Sequence, residues 1–130
     1  MMMIGRSLPA LRAYDITRAV DQLSVSTDVD AASITVRASG VAGFSALLAA
    51  AADPRISAVE LDRTPADYAA AFAGLHRDLW DTVIPGFALK WDIDDLRAAI
   101  SPRRVSWTDP TDWMGHVILR PSATYSMFAQ

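Results

Sequence analysis

Three short runs of β-branched and apolar residues, separated by helical patterns, constrain most strongly how this chain folds. The runs are Ser33–Val36, Ile56–Leu61 and Arg104–Trp107. Short apolar strands that alternate with helices are typical of a parallel sheet, because parallel neighbours need a long crossover connection. We therefore predict an α/β fold with three layers, in which helices flank both faces of a short, mostly parallel sheet of three or four strands.

Periodic apolar positions and end signals predict four helices around these strands. Ser7 and Pro9 are typical of the start of the first helix, and Asp92 is a cap for the last one. The apolar run Val117–Leu119 is a candidate for a fourth strand at the sheet edge. The predicted helices are Leu8–Leu23, Ala42–Ala52, Thr64–Trp80 and Ile93–Ile100.

Composition limits both the class of protein and its chemistry. The 130 residues suffice for one core, so we predict a single domain over residues 1–130. The chain has no cysteine, which excludes thiol catalysis and thiolate metal sites. A net charge of −3 and scattered arginines argue against a nucleic-acid partner. The sequence shows neither a membrane span nor a secretory signal, so we expect a cytoplasmic protein with no membrane partner.

The residues after the first predicted strand match a nucleophile elbow whose nucleophile position holds glycine. In the motif G-x-S-x-G, a serine lies on a tight turn between strand and helix, and neighbouring N–H groups form an oxyanion hole. Here the segment reads Ala38-Ser39-Gly40-Val41-Ala42. Glycine adopts positive φ without strain. We therefore predict that the turn and an oxyanion site at Gly40 and Val41 are present without the usual hydroxyl.

Candidate reacting groups follow the predicted strands, at the sheet edge where α/β proteins place their sites. Ser39 is either a displaced nucleophile or a hydroxyl that satisfies the turn. Asp112 either orients a base or binds a cation, or it simply forms the turn after Pro-Thr. Asp109, Asp112 and His116 together are candidate ligands for a divalent metal, although their spacing matches no specific metal motif. The sequence requires no cofactor.

Other chemically capable side chains are interpreted as structural. His76 is predicted to be a solvated helix residue, since Arg77 and Asp78 flank it. The four tryptophans are predicted to anchor the core or an interface, because each lies in or beside a packed element. They are Trp80, Trp91, Trp107 and Trp113.

Six segments follow one another in a characteristic order and spacing between Gly5 and about Gly115. They are Gly5–Leu8, Tyr14–Asp21, Asp30–Ile34, Ala46–Ile56, Ile84–Leu96 and Ser101–Arg104. In this order the chain resembles the second half of α/β-hydrolases of the acetylxylan-esterase and dipeptidyl-peptidase-like type. The resemblance implies that the three strands correspond to the fifth, sixth and seventh strands of that family. It also implies that Asp112 corresponds to the acid of the catalytic triad.

The sequence also departs from this family. Gly40 occupies the nucleophile position, and the first four strands and the loop with the catalytic histidine have no counterpart. An ordinary serine triad is therefore not expected, and the family's histidine is not assigned to His116. Two functions stay open. One is a hydrolase of small activated carboxylic or phosphate esters with a rebuilt site, and the other is a non-catalytic module for oligomerisation or interaction.

A partial sheet of this kind predicts association between copies. Without neighbouring strands, the first strand would expose unpaired N–H and C=O groups together with apolar surface. A symmetric dimer covers such a surface at both copies. We therefore expect a homodimer or a higher oligomer.

Overall fold

The computed structural model describes residues 6–74 and 79–118, in which helices and strands alternate. None of the described helices is long and apolar enough to cross a membrane. Two 3-10 helices, Ala69–Phe72 and Phe87–Leu89, lie between the second strand and the last helix. The helices are α1 (Leu8–Ser24), α2 (Ala42–Ala52), α3 (Leu79–Thr82) and α4 (Ile93–Ile100), and the strands are β1 (Ile34–Ser39), β2 (Ile56–Asp62) and β3 (Arg104–Thr108).

The three strands form one parallel sheet in the order β1-β2-β3. The register pairs Ser39 with Asp62 and Asp62 with Thr108, so the strands end at the same level. Right-handed crossovers in this strand order bring the connecting helices to the same side of the sheet. The predicted α/β class, with a short parallel sheet and flanking helices, is confirmed, and so are the bounds of α2 and α4. Within the described residues, α2 and α4 both pack on one face of the sheet.

The two faces of the sheet differ in polarity. A row of valines on one face packs in the core with α2 and α4, whereas the opposite face carries polar side chains. On that opposite face Arg37 of β1 and Arg104 of β3 both form ion pairs with Glu60 of β2, at 2.6 and 3.3 Å. The Arg37 side chain is 80% exposed, so this face interacts with solvent. The valines are Val36, Val59 and Val105.

Tyr68 is at the centre of the core near the carboxyl ends of the strands. Its ring stacks on Phe44 with the centroids 4.7 Å apart and meets Trp113 edge-on at 6.1 Å. Its hydroxyl donates to the Thr82 carbonyl at 3.0 Å and accepts the Ile84 N–H at 2.9 Å. Burial raises the pKa of Tyr68, so the phenol stays protonated and keeps donating. Tyr68 therefore fixes the segment after α3 against the core.

The helix predicted over Thr64–Trp80 is wrong in its first part. Pro65 instead forms a parallel bridge with Thr111. Asp67 Oδ1 accepts the N–H of Ala70 at 3.0 Å, which closes a turn at the start of the next helix. The segment that follows forms only a 3-10 helix of four residues. The start of this segment therefore pairs with the loop after β3 instead of forming a helix.

The tryptophans divide into two pairs. Trp113 is 7% exposed and Trp107 packs against the core, as predicted. Trp80 and Trp91 are 77% and 55% exposed, so a place in the core is wrong for both. Their place in an interface stays a prediction. His76 lies outside the described residues.

The described part of the apolar tail pairs with the loop after β3 through an isolated bridge. Val117 pairs with Thr111 in antiparallel orientation, and the Ile118 N–H donates to the Pro110 carbonyl at 2.7 Å. Up to residue 118, the described chain therefore forms no fourth strand, and Leu119 lies outside it.

Candidate functional site

The backbone turns sharply at the carboxyl end of every strand. Gly40, Arg63 and Asp109 immediately follow β1, β2 and β3, and their φ angles are 62°, 49° and 46°. Left-handed backbone costs a residue with a side chain about 1–2 kcal/mol. Strained residues of this kind cluster at functional sites, and open α/β sheets bind ligands at this edge. The carboxyl edge is therefore the candidate site.

The predicted elbow turn at Gly40 is present, and α2 begins two residues later. The Gly40 N–H donates to the Asp62 carbonyl at 2.9 Å, so it extends the sheet and is not free for an oxyanion. The N–H groups of Val41 and Ala42 have no acceptor among residues 6–74 and 79–118. Free N–H groups at a helix start attract negative charge. Of the two N–H groups predicted to be oxyanion donors, the one on Gly40 is engaged in the hydrogen bond to Asp62, and an oxyanion role for Val41 stays a prediction.

The Ser39 hydroxyl is held by a carboxylate. Ser39 Oγ donates to Asp62 Oδ2 at 3.3 Å, and the two residues are register partners on adjacent strands. Among the contacts of the described residues, Ser39 has no histidine partner that would take its proton. This geometry favours a structural hydrogen bond by the Ser39 hydroxyl over a role as a displaced nucleophile. The partner Asp62 was detectable in the sequence as the last residue of the next strand.

The loop after β3 brings Asp112 and His116 together. Asp112 Oδ1 accepts the N–H groups of Met114 and His116 at 2.8 and 2.9 Å. Asp112 Oδ2 lies 3.1 Å from His116 Nδ1. The Asp112 N–H also donates to the His116 carbonyl at 2.9 Å, which closes the loop. Asp112 therefore forms the turn and orients an imidazole at the same time, and the His116 side chain is 77% exposed.

Hydrogen bonding determines the charge state of this pair. The backbone N–H of His116 holds the pKa of Asp112 below its ordinary value, and the His116 ring and the Met114 N–H act in the same direction. The carboxylate is consequently ionised at neutral pH. An ionised acceptor beside Nδ1 favours the tautomer with its proton on Nδ1, which makes Nε2 the basic atom.

Arg63 connects the loops that follow β2 and β3. Its N–H donates to the Thr108 carbonyl at 2.9 Å, and its guanidinium Nη2 donates to the Gly115 carbonyl at 3.3 Å. The Thr111 N–H donates in turn to the Thr64 carbonyl at 3.1 Å. The sequence placed these loops together but assigned no role to Arg63. Its position directly after a strand was the available signal.

Close packing under the edge was also missed at the sequence level. Thr64 is fully buried, and its Oγ1 has no hydrogen-bond partner among the described residues. A Cβ added to Gly43 in the first turn of α2 would lie 2.1 Å from that oxygen. A larger residue at this position would therefore force the Thr64 side chain or the backbone to shift. The signal was a glycine inside an otherwise alanine-rich helix, where it costs stability unless packing demands it.

The three candidate metal ligands are not brought together. Asp112 contacts His116, but Asp109 has no hydrogen bond or ion pair with either of them in the described structure. Across residues 6–74 and 79–118, no three histidine, aspartate or glutamate side chains gather closely enough to hold a metal ion. The divalent metal stays a prediction without structural support.

Comparisons with protein-family models, curated proteins and solved structures gave no significant match. The fold itself defines the class: an α/β protein with a three-stranded parallel sheet flanked by helices. Its carboxyl edge carries a carboxylate–imidazole pair and free N–H groups at a helix start. The resemblance to α/β-hydrolases stays a prediction.

Proposed function

We propose that the protein hydrolyses small activated esters of carboxylic or phosphoric acids, with Asp112 and His116 as the proton-transfer pair. The observation that carries this proposal is the 3.1 Å contact between Asp112 Oδ2 and His116 Nδ1. An exposed imidazole whose Nδ1 is held by a carboxylate can accept a proton from water at Nε2. The resemblance to the second half of α/β-hydrolases points to the same class of reaction.

Water is the nucleophile in this proposal. His116 Nε2 takes a proton from water while the water oxygen bonds to the carbonyl carbon or phosphorus of the ester. The ionised Asp112 stabilises the imidazolium, which then returns the proton to the leaving oxygen as the ester bond breaks. The products are one acid and one alcohol. The N–H groups of Val41 and Ala42 are the candidate donors to the negative oxygen.

The test compares two neighbouring carboxylates. We would measure turnover of activated acetate and phosphate esters by the unmodified protein, Asp112→Asn and Asp109→Asn, with and without a chelator. Asparagine at position 112 keeps the oxygen that accepts the loop N–H groups and removes the charge. We expect Asp112→Asn to lose about 100-fold in turnover and Asp109→Asn to keep its activity.

Three results would count against this assignment. Absence of turnover by the unmodified protein would contradict the proposal that it is a hydrolase. Full activity of Asp112→Asn would contradict the role of Asp112 and His116 in proton transfer. A loss caused by the chelator would replace the proposed water activation by a metal-assisted reaction.

A homodimeric interaction module is the second candidate, and exposed surface favours it. β1 is an edge strand of the described sheet, and four large apolar side chains in the described residues between 72 and 91 are more than half exposed. Light scattering at tens of micromolar protein should give twice the 14.1 kDa chain mass. A monomer would remove this candidate. The side chains are Phe72, Trp80, Leu89 and Trp91.

A further inference from the structure

A cavity of about 880 Å³ opens beside the first turns of α1, outside the residues of the carboxyl edge. Sites for small molecules occupy roughly 300–1,000 Å³ and are mostly apolar with a few polar groups. The cavity therefore has the size of a ligand site. Residues that line it include Arg6, Ala10, Leu11, Tyr14, Ile84 and Pro85.

The apolar walls of this cavity are held in place by contacts behind them. The Ile84 N–H donates to the Tyr68 hydroxyl at 2.9 Å, which fixes one wall to the core. Arg12 of α1 forms an ion pair with Asp81 of α3 at 3.2 Å, which joins the helix to the segment before Ile84. Preformed walls reduce the ordering cost of binding.

Arg6 gives the cavity a positive charge. No hydrogen bond or ion pair involves Arg6 within the described ranges, whereas Arg12 and Arg18 on α1 pair with carboxylates. The first turn of α1 also carries no acidic residue. A free guanidinium beside apolar walls suits a ligand that combines a carboxylate with an apolar body, because guanidinium binds carboxylate in a bidentate manner.

We propose that this cavity binds a small organic acid, with its carboxylate at Arg6 and its apolar body against Leu11 and Ile84. This binding site goes beyond the proposed ester hydrolysis. The residues that line the cavity take no part in that reaction. Asp112→Asn should therefore bind the acid as the unmodified protein does, so the two proposals fail separately.

The test uses octanoate as the probe and octanamide as a neutral ligand with the same apolar body. In a titration of ¹⁵N-labelled protein followed by NMR, octanoate should shift the amide signals of Ala10, Leu11 and Ile84. It should bind about tenfold more tightly than octanamide. Arg6→Gln should lower octanoate affinity to that of octanamide. Lys90→Gln, which removes another exposed cation outside the cavity, should leave it unchanged.

A second variant separates the cavity from the charge. Ala10→Trp fills the space and should lower the affinity for both ligands about tenfold or more. Equal affinities for octanoate and octanamide, an unchanged octanoate affinity in Arg6→Gln, or shifts confined to residues outside the cavity would each overturn the proposal. The amide shifts are measured on the unmodified protein, so the proposal can be refuted even if one of the variants does not fold.

Discussion

The two ends of the parallel sheet both carry polar groups, but these groups are paired at the amino end and available at the carboxyl end. At the amino end, the Arg103 guanidinium donates to the carbonyls of Ala50, Asp53 and Ile56 at 2.8, 3.1 and 2.7 Å. At the carboxyl end, the Val41 N–H has no acceptor in the described ranges. Pairing indicates where the fold is held together, and available groups indicate where it can act.

Asp53 illustrates the paired end. Its side chain is 5% exposed, and both of its oxygens accept hydrogen bonds from the Arg55 guanidinium at 2.9 and 2.6 Å. These bonds hold the pKa of Asp53 below its ordinary value. His116 at the other end is exposed and has one ring nitrogen engaged. We therefore expect substitutions at the amino end to change stability and substitutions at the carboxyl end to change activity.

We expect the largest change in stability at the amino end of the sheet, where two consecutive arginines can be compared. Arg103→Met removes three partly buried hydrogen bonds, so we expect the free energy of unfolding to fall by about 3 kcal/mol. Arg104→Met removes one exposed ion pair at 3.3 Å and should cost less than about 1 kcal/mol. Urea unfolding measures both. Similar losses of unfolding free energy in the two variants would contradict the view that the Arg103 hydrogen bonds hold this end of the fold together.

Gly43→Ala tests the packing that supports the available end. The added Cβ would lie 2.1 Å from the buried Thr64 Oγ1, and the overlap outweighs the gain in helix propensity. We expect a net loss of about 1–2 kcal/mol in urea unfolding. Gly74→Ala is the control, because no described residue lies within 4 Å of its added Cβ. Thr64→Ala in the Gly43→Ala background should recover part of the loss, and no recovery would refute the overlap.

The pH dependence of Asp53→Asn tests the amino end more finely. A lowered pKa in the folded state stabilises the fold above the ordinary value of 3.8, and this contribution disappears as pH falls through the folded pKa. Asp53→Asn should cost about 1 kcal/mol at neutral pH, since Arg55 is partly exposed. The difference from the unmodified protein should shrink below pH 3.8. A difference that is constant down to acid unfolding would contradict the ion pair.

The smallest expected effect concerns Ser39→Ala. The hydroxyl makes one exposed hydrogen bond to Asp62, so stability should change by less than about 0.5 kcal/mol. Ester turnover should stay at the level of the unmodified protein, because water is the proposed nucleophile. A loss of turnover equal to that of Asp112→Asn would instead make the hydroxyl the nucleophile.

Sequence periodicity predicted the elements that follow their own local signals. α4 begins directly after the capping residue Asp92, whose backbone N–H donates to the Asp95 carboxylate at 2.7 Å, and it ends at Ile100. β1 continues three residues beyond the predicted end at Val36. The prediction ended too early because Arg37 and Ser39 face solvent and interrupt the apolar run. Local apolar pattern locates an element better than it locates its ends.

Long-range contacts explain what the sequence left undetermined. The pairing of Pro65 with Thr111 replaces the first part of a helix that local propensity favours, and the two residues lie far apart in the chain. The sequence named Asp112 and His116 as candidate site residues. Only the loop geometry showed that Asp112 Oδ2 contacts His116 Nδ1. The exposure of Trp80 likewise depends on neighbours that periodicity does not describe.

Chemical rescue of His116→Ala by imidazole tests the central claim most directly, namely that the carboxyl edge offers an imidazole for proton transfer. Ester turnover would be measured with increasing imidazole, after subtraction of the reaction that imidazole catalyses without protein. We predict that His116→Ala loses about 100-fold in turnover and that imidazole restores part of it, with no effect on the unmodified protein. Turnover by His116→Ala at the unmodified rate, without imidazole, would contradict the account.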